Sequence, residues 1–588
     1  MASKSASGKS FDFKLILRVL KYTRPYKTKF RISLLLTVLL AVLGPVRPYL
    51  TSYTVDQFIL TPDFYYLTVF SLILVGSLII ETIIQYYQTY LSGYLGQQVV
   101  KDIRQQLFVH ISKFKLKYYD RTPIGTLVTR VINDVETISE VFSEGLLSIL
   151  GDVLKLVFVF AFMFTRSWEL SIASLLPVPV LLVATNMFRR GIAKTFNEVR
   201  NEVANINAFT QEHITGIHII QAFNREEIEM RNFKEINDRH RKANIRSIWY
   251  YSVFFPVVEI LSALSVSLMV FWAARDMIIH SISTATPGLI IEFILYINMM
   301  YRPMRQLADR FNTLQMGVVS SERLFKIIDS DESLKDEGAL TAGSISGNIR
   351  FENVNFSYVE NETVLKDFNL TIYKGEKIAI VGATGSGKTT IINLVSRMYE
   401  IDHGHIYFDD HDIRDFKLSE LQKSIGVVLQ DVFLFSDSIL NNIRLRDENI
   451  SYEEVVTAAK AVGAHDFIMQ LPGGYEYKIG ERGAQLSVGQ RQLISFIRAY
   501  VYNPRILILD EATSSIDTES EHLIQLATQK VTEGRTSIII AHRLSTIKNA
   551  DKILVMEKGE IKESGTHSEL MNQNGRYRKL FELQFASK

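Results

Sequence analysis

Cysteine is missing from all 588 residues, which excludes disulfides, zinc thiolate centres and a thiol nucleophile. An excess of charge of one sign is missing too. The 65 Lys and Arg residues face 63 Asp and Glu, and a formal net charge of +2 argues against a nucleic-acid partner held by bulk electrostatics. At the N-terminus, Lys4, Lys9, Lys14, Arg18, Lys21 and Arg24 are not followed by a short apolar core with a small-residue cleavage site, so no removable signal peptide is expected.

What the chain does contain is apolar length. Hydrophobic residues make up 47% of the sequence and cluster in long runs before residue 311, whereas the part after about 347 has the mixed pattern of an α/β domain. So long a chain exceeds one core, and two or more domains are expected. Six stretches reach the roughly 20 residues that a bilayer requires: 30 to 52, 66 to 92, 145 to 165, 168 to 188, 250 to 274 and 286 to 306. The segments 93 to 144 and 189 to 249 are long, polar and rich in Lys and Arg, for example Lys101, Arg104, Arg189 and Lys194. The positive-inside rule puts them and both termini in the cytosol. Few breakers interrupt them, so the membrane helices are expected to continue beyond the bilayer and return through turns near 118 to 125 and 212 to 224.

Ionisable residues stand inside these spans: Arg47, Glu81, Asp152, Lys155, Glu259 and Glu292. Charge in hydrocarbon is costly, so each should face a protein or water-lined interior. Asp152 and Lys155, three apart on one helical face, can neutralise each other. Glu81, Glu259 and Glu292 have no such neighbour in sequence and are the expected lining of a substrate cavity suited to cationic amphipaths.

The second half carries a strand, a glycine loop and a helix. After Ile378-Ala379-Ile380-Val381 comes Gly382-Ala383-Thr384-Gly385-Ser386-Gly387-Lys388-Thr389-Thr390, which meets G-x-x-x-x-G-K-[ST] at every fixed position. Glycines let successive N–H groups turn inward, the helix start adds its positive end, and Lys388 adds a full charge, so the pocket suits a triphosphate. The Thr389 hydroxyl is then placed for Mg²⁺. Downstream, Arg505 to Leu509 reads as a buried strand ending in Asp510 and Glu511. At the carboxyl edge of a parallel sheet these carboxylates would serve the Mg²⁺ shell and polarise an attacking water, respectively. The cluster His403, His405, Asp409, Asp410 and His411 reads as a solvated strand and turn, not a metal centre.

Leu486-Ser487-Val488-Gly489-Gln490, ahead of the Asp510 strand, resembles the signature of ATP-binding cassette proteins. Gln430 in Val428-Leu429-Gln430-Asp431, Asp517 in Ser514-Ser515-Ile516-Asp517 and His542 in Ala541-His542-Arg543 complete the set in family order. With six spans in front, the chain is similar to exporter-type half-transporters over essentially its full length. The resemblance implies that Tyr358 stacks on adenine, that Gly382 to Thr390 wrap the phosphates, and that Gln430 contacts Mg²⁺ and senses the membrane domain. It also implies that Glu511 and His542 act at the γ-phosphate, and that Ser487, Gly489 and Gln490 close over ATP held by a second subunit. Two positions depart from the pattern: Val488 replaces the usual glycine, and Lys478 stands where an acid is usual.

The expected architecture is a cytosolic segment 1–29, a six-helix transmembrane domain 30–312, a linker 313–347 and an α/β P-loop nucleotide-binding domain 348–588. The implied function is ATP-driven export of drug-like or lipid amphipaths by a dimer, preferably a homodimer, in a bacterial plasma (inner) membrane. A lipid flippase and an ATP-gated channel are the alternatives.

Overall fold

A computed structural model describes residues 13–141, 146–280, 286–334, 336–341, 343, 345–510, 518–541 and 543–585. The chain divides into two units, Met1–Ser112 with Ile124–Asp331, and Lys113–Pro123 with Glu332–Lys588.

The first unit is helical. After α1 (Phe13–Lys21) come α2 (Lys27–Thr54) and α3 (Phe64–Ile111). The short α4 (Leu116–Arg121) belongs to the second unit, and α5 (Ile124–Thr129) and α6 (Val135–Glu140) return to the first. Then follow α7 (Leu147–Arg166), α8 (Trp168–Leu175), α9 (Val178–Thr215), α10 (Ile217–Ala222), α11 (Glu226–His280) and α12 (Pro287–Ile328). At 1.5 Å per residue, the 48 residues of α3 and the 55 of α11 give helices of about 70 and 80 Å, far longer than the roughly 30 Å hydrocarbon layer. The expected extensions beyond the bilayer are therefore present.

Among the described residues, five helices are long and apolar enough to cross a membrane: Arg24–Ile59, Phe64–Ile111, Leu147–Arg166, Trp168–Thr215 and Glu226–Arg275. The sixth expected span lies in α12, which is helical throughout but diluted by Glu292, Asn298 and Arg302. Side-chain caps mark the sharp starts. Asp63 accepts from the Tyr65 and Tyr66 N–H groups, Ser167 from Leu170 N–H, and Thr286 from Leu289 N–H. Pro177 separates α8 from α9, whereas Pro45, Pro48, Pro256 and Pro303 lie inside continuous helices. Buried α2 residues Ser33, Thr37, Ala41, Gly44 and Ser52 are all small. Such a stripe lets neighbouring backbones approach, which replaces the missing hydrophobic drive between helices in lipid. Gln88 on α3 donates to the Thr37 hydroxyl at 3.4 Å, and a Cβ on Gly151 of α7 would meet the Thr37 methyl at 3.1 Å. Helix α12 runs on to Ile328.

The second unit holds two sheets. One is antiparallel, ordered β2-β1-β4-β5, with β1 Ile349–Ser357, β2 Thr363–Ile372, β4 His403–Phe408 and β5 His411–Asp412. The other is ordered β10-β9-β3-β8-β7-β6, with β3 Lys377–Gly382, β6 Ile425–Val428, β7 Ile506–Asp510, β8 Thr536–Ile540, β9 Lys552–Glu557 and β10 Glu560–Gly565. All its pairings are parallel except β9 with β10. Alternate strand residues enter different cores. Ala379, Val381, Leu507, Leu509 and Ile539 pack on one face, and Ile378, Ile380, Ile506, Ile508 and Ile538 on the other. Coverage on both faces explains why these strands read as unbroken apolar runs.

Candidate active site

The carboxyl edge of the parallel sheet gathers the chemistry. Strand β3 ends at Gly382 and, through a tight loop, feeds α13 (Lys388–Val395). A Cβ on Gly382 would meet the Met556 carbonyl oxygen of β9 at 2.3 Å, so only glycine passes there. Gly385 and Gly387 have φ of 80° and 100°, in the left-handed region that β-carbons disfavour. The Ser386 hydroxyl is buried and has no hydrogen-bond partner, while Thr389 is exposed at the start of α13. The Lys388 ammonium curls back over the loop, donating to the Gly382 and Ala383 carbonyls at 2.8 and 3.0 Å. A cradle closed to any Cβ, an unsatisfied buried hydroxyl and a helix N-terminus fit a polyphosphate.

Strand β8 lies between β3 and β7 and ends at Ile540, paired with Ile380 and Asp510. Asp510 is buried as the last residue of β7. Burial raises its carboxyl pKa, with Lys388 opposing and Asp431 adding to the rise. Burial correspondingly draws Lys388 below its ordinary value, with Asp510 holding it up. The coupling ties the phosphate loop electrostatically to the expected Mg²⁺ ligand. Gln430, just past β6, is exposed. Glu511, Asp517 and His542 lie outside the described residues.

Tyr358 follows β1 and is held from the far side. Its hydroxyl donates to Thr390 at 3.3 Å and accepts from Asn393 at 3.0 Å, and Phe356 and Tyr399 meet its ring edge-on at 4.8 and 5.2 Å. Neither Asn393 nor Tyr399 was singled out from sequence, since no motif marks them. Tyr399 in turn donates to Asp120 of α4, and burial, reinforced by that bond, raises its hydroxyl pKa. Base stacking on an aromatic ring contributes about 1–3 kcal/mol. Tyr358→Ala should therefore raise the ATP concentration for half-maximal hydrolysis about tenfold or more. Tyr358→Phe keeps the ring and loses two hydrogen bonds, and a shift below about fivefold is expected. Steady-state hydrolysis over a range of ATP concentrations checks both.

The signature segment opens α18 (Val488–Val501), the fifth helix after α13 in order through α14 (Leu418–Lys423), α15 (Ile439–Arg444), α16 (Tyr452–Val462) and α17 (His465–Gln470). Ser487 accepts from Gln490 N–H at 3.1 Å, and Gln490 accepts from Ser487 N–H at 3.0 Å. This is a capping box, readable in the spacing S-x-x-Q. It fixes the helix start with Ser487 and Val488 exposed and Gly489 buried. Among the described residues, no hydrogen bond or ion pair joins this segment to the phosphate loop of the same chain.

The His403-to-His411 segment forms β4, a turn and β5, and His405 bonds Asp412 at 2.8 Å. No metal-holding group of His, Asp and Glu occurs among the described residues.

Three membrane carboxylates meet arginines. Arg47 pairs with Glu81 at 3.5 Å, and Arg166 with the fully buried Glu292 at 3.3 Å. Asp152 pairs with Arg310 at 2.9 Å rather than with Lys155. Glu259 is exposed on α11. The arginines that meet Glu81 and Glu292 stand on other helices and are invisible as neighbours in sequence.

Residues 30–304 match the ABC transporter transmembrane region and residues 365–514 the ABC transporter domain. The chain is similar to an ABC transporter ATP-binding protein of Streptococcus pneumoniae, at 39% identity over 98% of each chain. It is 37% identical to a Bacillus subtilis protein named for multidrug export, over 96% of this chain and 99% of the relative. It is also 35% identical to an ATP-dependent lipid A-core flippase of Syntrophus aciditrophicus, over 97% and 94% of the two chains.

Proposed function

Because the chain belongs to the ATP-binding cassette transporters, a family of multi-pass membrane proteins that hydrolyse ATP to drive transport, we propose that it is one half of a homodimeric exporter of amphipathic molecules, drug or lipid. Its working place is a bacterial plasma membrane, with the cassette and both termini in the cytosol. The observation that carries this reading is the division of the site. The phosphate cradle and the exposed, capped start of α18 both suit phosphate, yet among the described residues no bond joins them within one chain. A second copy supplies the missing half: Ser487, Gly489 and Gln490 of one chain close over ATP held by Gly382 to Thr390 of the other.

Bound Mg²⁺ supplies neutralisation of the phosphate charge, and Asp510, Thr389 and Gln430 are the residues that would hold it. Lys388 and the loop N–H groups orient the β- and γ-phosphates, Tyr358 positions the base, Glu511 takes the proton of the attacking water, and His542 steadies the γ-phosphate. Losing the γ-phosphate contact loosens the pair of chains. Asp120 reaches Tyr399, which borders Tyr358, so α4 is placed to register occupation of the base site. In a single chain the α10 tip leaves Ile217, Ile219 and Phe223 exposed, as a second contact surface toward the other subunit requires.

Proteoliposomes holding the purified protein test the reading. ATP-dependent accumulation of at least one amphipath, with hydrolysis stimulated by the same compound, is expected. Tyr399→Phe should lower the amount moved per ATP hydrolysed by about two- to fivefold. Ion conductance without accumulation would overturn the exporter assignment in favour of a gated channel.

A further inference from the structure

Past their apolar stretches, α9 and α11 continue as a two-helix stalk that carries the α10 turn, and in the proposed orientation this stalk stands in the cytosol. None of the described residues from 196 to 242 is buried, so within one chain cross-helix pairing has to hold the stalk together. Polar pairs join its two helices. In order toward the turn they are Thr195 with Ser247 at 3.1 Å, Glu198 with Arg246 at 2.8 Å, Glu202 with Arg239 at 3.3 Å and His213 with Glu229 at 2.9 Å. The last of these lies about 16 Å beyond Glu202, at 1.5 Å per residue, and next to the turn. It alone of the four changes charge near neutral pH.

The geometry at His213 selects one protonation state. Its Nε2 lies 2.9 Å from the Glu229 carboxylate and its Nδ1 2.8 Å from the Phe209 carbonyl oxygen. Both neighbours accept, and a neutral imidazole donates from one nitrogen only, so the imidazolium is the form that satisfies both. The ring is held in plane by Phe209, stacked on it at 3.6 Å, and Phe209 meets Phe233 of α11 at 5.9 Å. Asn232 donates to the same Glu229 oxygen at 3.0 Å. Of the surrounding charges, Glu212 of α9 acts on the ring, Arg225 just ahead of α11 acts on Glu229, and α10 carries His218 as its titratable residue. The bond to Glu229 raises the His213 pKa, with burial opposing and the Phe209 carbonyl and Glu212 adding. The clasp is therefore complete below the ordinary histidine value of about 6.5 and is lost as the pH rises through the raised one.

We propose that His213 is a positioning residue: as an imidazolium it clasps Glu229 and holds the α10 turn where the second subunit meets it, so that coupling weakens as the surrounding pH rises. This rests on the reading of the α10 tip as a contact toward the other subunit. Neither residue touches nucleotide or cargo.

Hydrogen exchange in the full-length protein in nanodiscs tests the clasp, with labelling times scaled to the intrinsic rate of a free amide at each pH. Between pH 6 and pH 8.5, the scaled exchange of amides 214 to 224 should rise about three- to tenfold, the scale of one hydrogen bond to a charged group. His213→Lys keeps a cation beside Glu229 and should exchange slowly throughout, whereas His213→Phe should exchange fast throughout. Glu229→Gln removes the charge that favours the imidazolium, so the midpoint of the rise should move to lower pH. Hydrolysis supplies the second readout. The ratio of kcat in the native chain to kcat in His213→Lys should stand near one at pH 6 and fall about two- to fivefold by pH 8.5. Titrations within the cassette are common to both chains and cancel in that ratio. Exchange without pH dependence, a midpoint unmoved in Glu229→Gln, or a flat hydrolysis ratio would each overturn the proposal, and the first two need no lysine variant. The exporter reading fails separately, if ATP drives accumulation of no amphipath in proteoliposomes while exchange and the hydrolysis ratio both follow pH.

Discussion

Lys388→Ala should reduce ATP hydrolysis at least about 10²–10³-fold, the scale on which removing one preorganised charge-stabilising donor acts. The expectation follows from where the ammonium stands. It lies over the loop carbonyls of Gly382 and Ala383 at 2.8 and 3.0 Å, at the N-terminus of α13, and within the field of Asp510. No other cation touches that loop among the described residues. Truncation leaves the backbone N–H groups but removes the full positive charge at the loop, so both nucleotide affinity and the rate of the chemical step should fall. Arginine is not an adequate replacement, because its planar fork is bulkier and cannot serve as a compact point charge in so tight a loop. Lys388→Arg should therefore stay near the alanine variant. Phosphate release at saturating ATP, together with nucleotide binding by equilibrium dialysis, checks this. Turnover within about threefold of the native chain would remove the phosphate loop from the chemistry.

Glu511→Gln should produce a different defect of similar size. A positioned general base contributes about 10²–10⁴-fold, and glutamine keeps the shape of the side chain while losing its basicity. ATP binding should persist, and the nucleotide-bound pair of chains should accumulate because the step that releases it is blocked. The two variants are thus distinguishable: Lys388→Ala fails to retain nucleotide, and Glu511→Gln retains it unhydrolysed. Single-turnover hydrolysis and the stoichiometry of trapped ATP separate them. Hydrolysis at the native rate in Glu511→Gln would show that another group activates the water.

The two halves of the molecule were legible in the sequence to different degrees, for a physical reason. Phosphate binding depends on backbone geometry over nine consecutive residues, and the glycines that geometry requires leave a local trace. Gly382, whose Cβ would strike the Met556 carbonyl at 2.3 Å, is such a case. The buried strand ending in Asp510 is similarly local. The Ser487–Gln490 capping box was also readable in the spacing but is easily overlooked inside a longer motif. Intramembrane charge pairing is not local. Arg47 and Glu81 meet across two helices, and Asp152 finds Arg310 on α12 in preference to Lys155 on its own helix. The contact between Tyr399 and Asp120 joins residues 279 positions apart, and no local pattern announces it.

The absence of native cysteine allows the central claim to be measured without background. A single spin label on Met469→Cys, an exposed position at the end of α17, reports the distance between the two cassettes of a pair by pulsed electron resonance. In the Glu511→Gln chain, ATP with Mg²⁺ should shift the population to one shorter, narrower distance, and ADP should not. A distribution indifferent to ATP would contradict a mechanism in which two chains close around shared nucleotide.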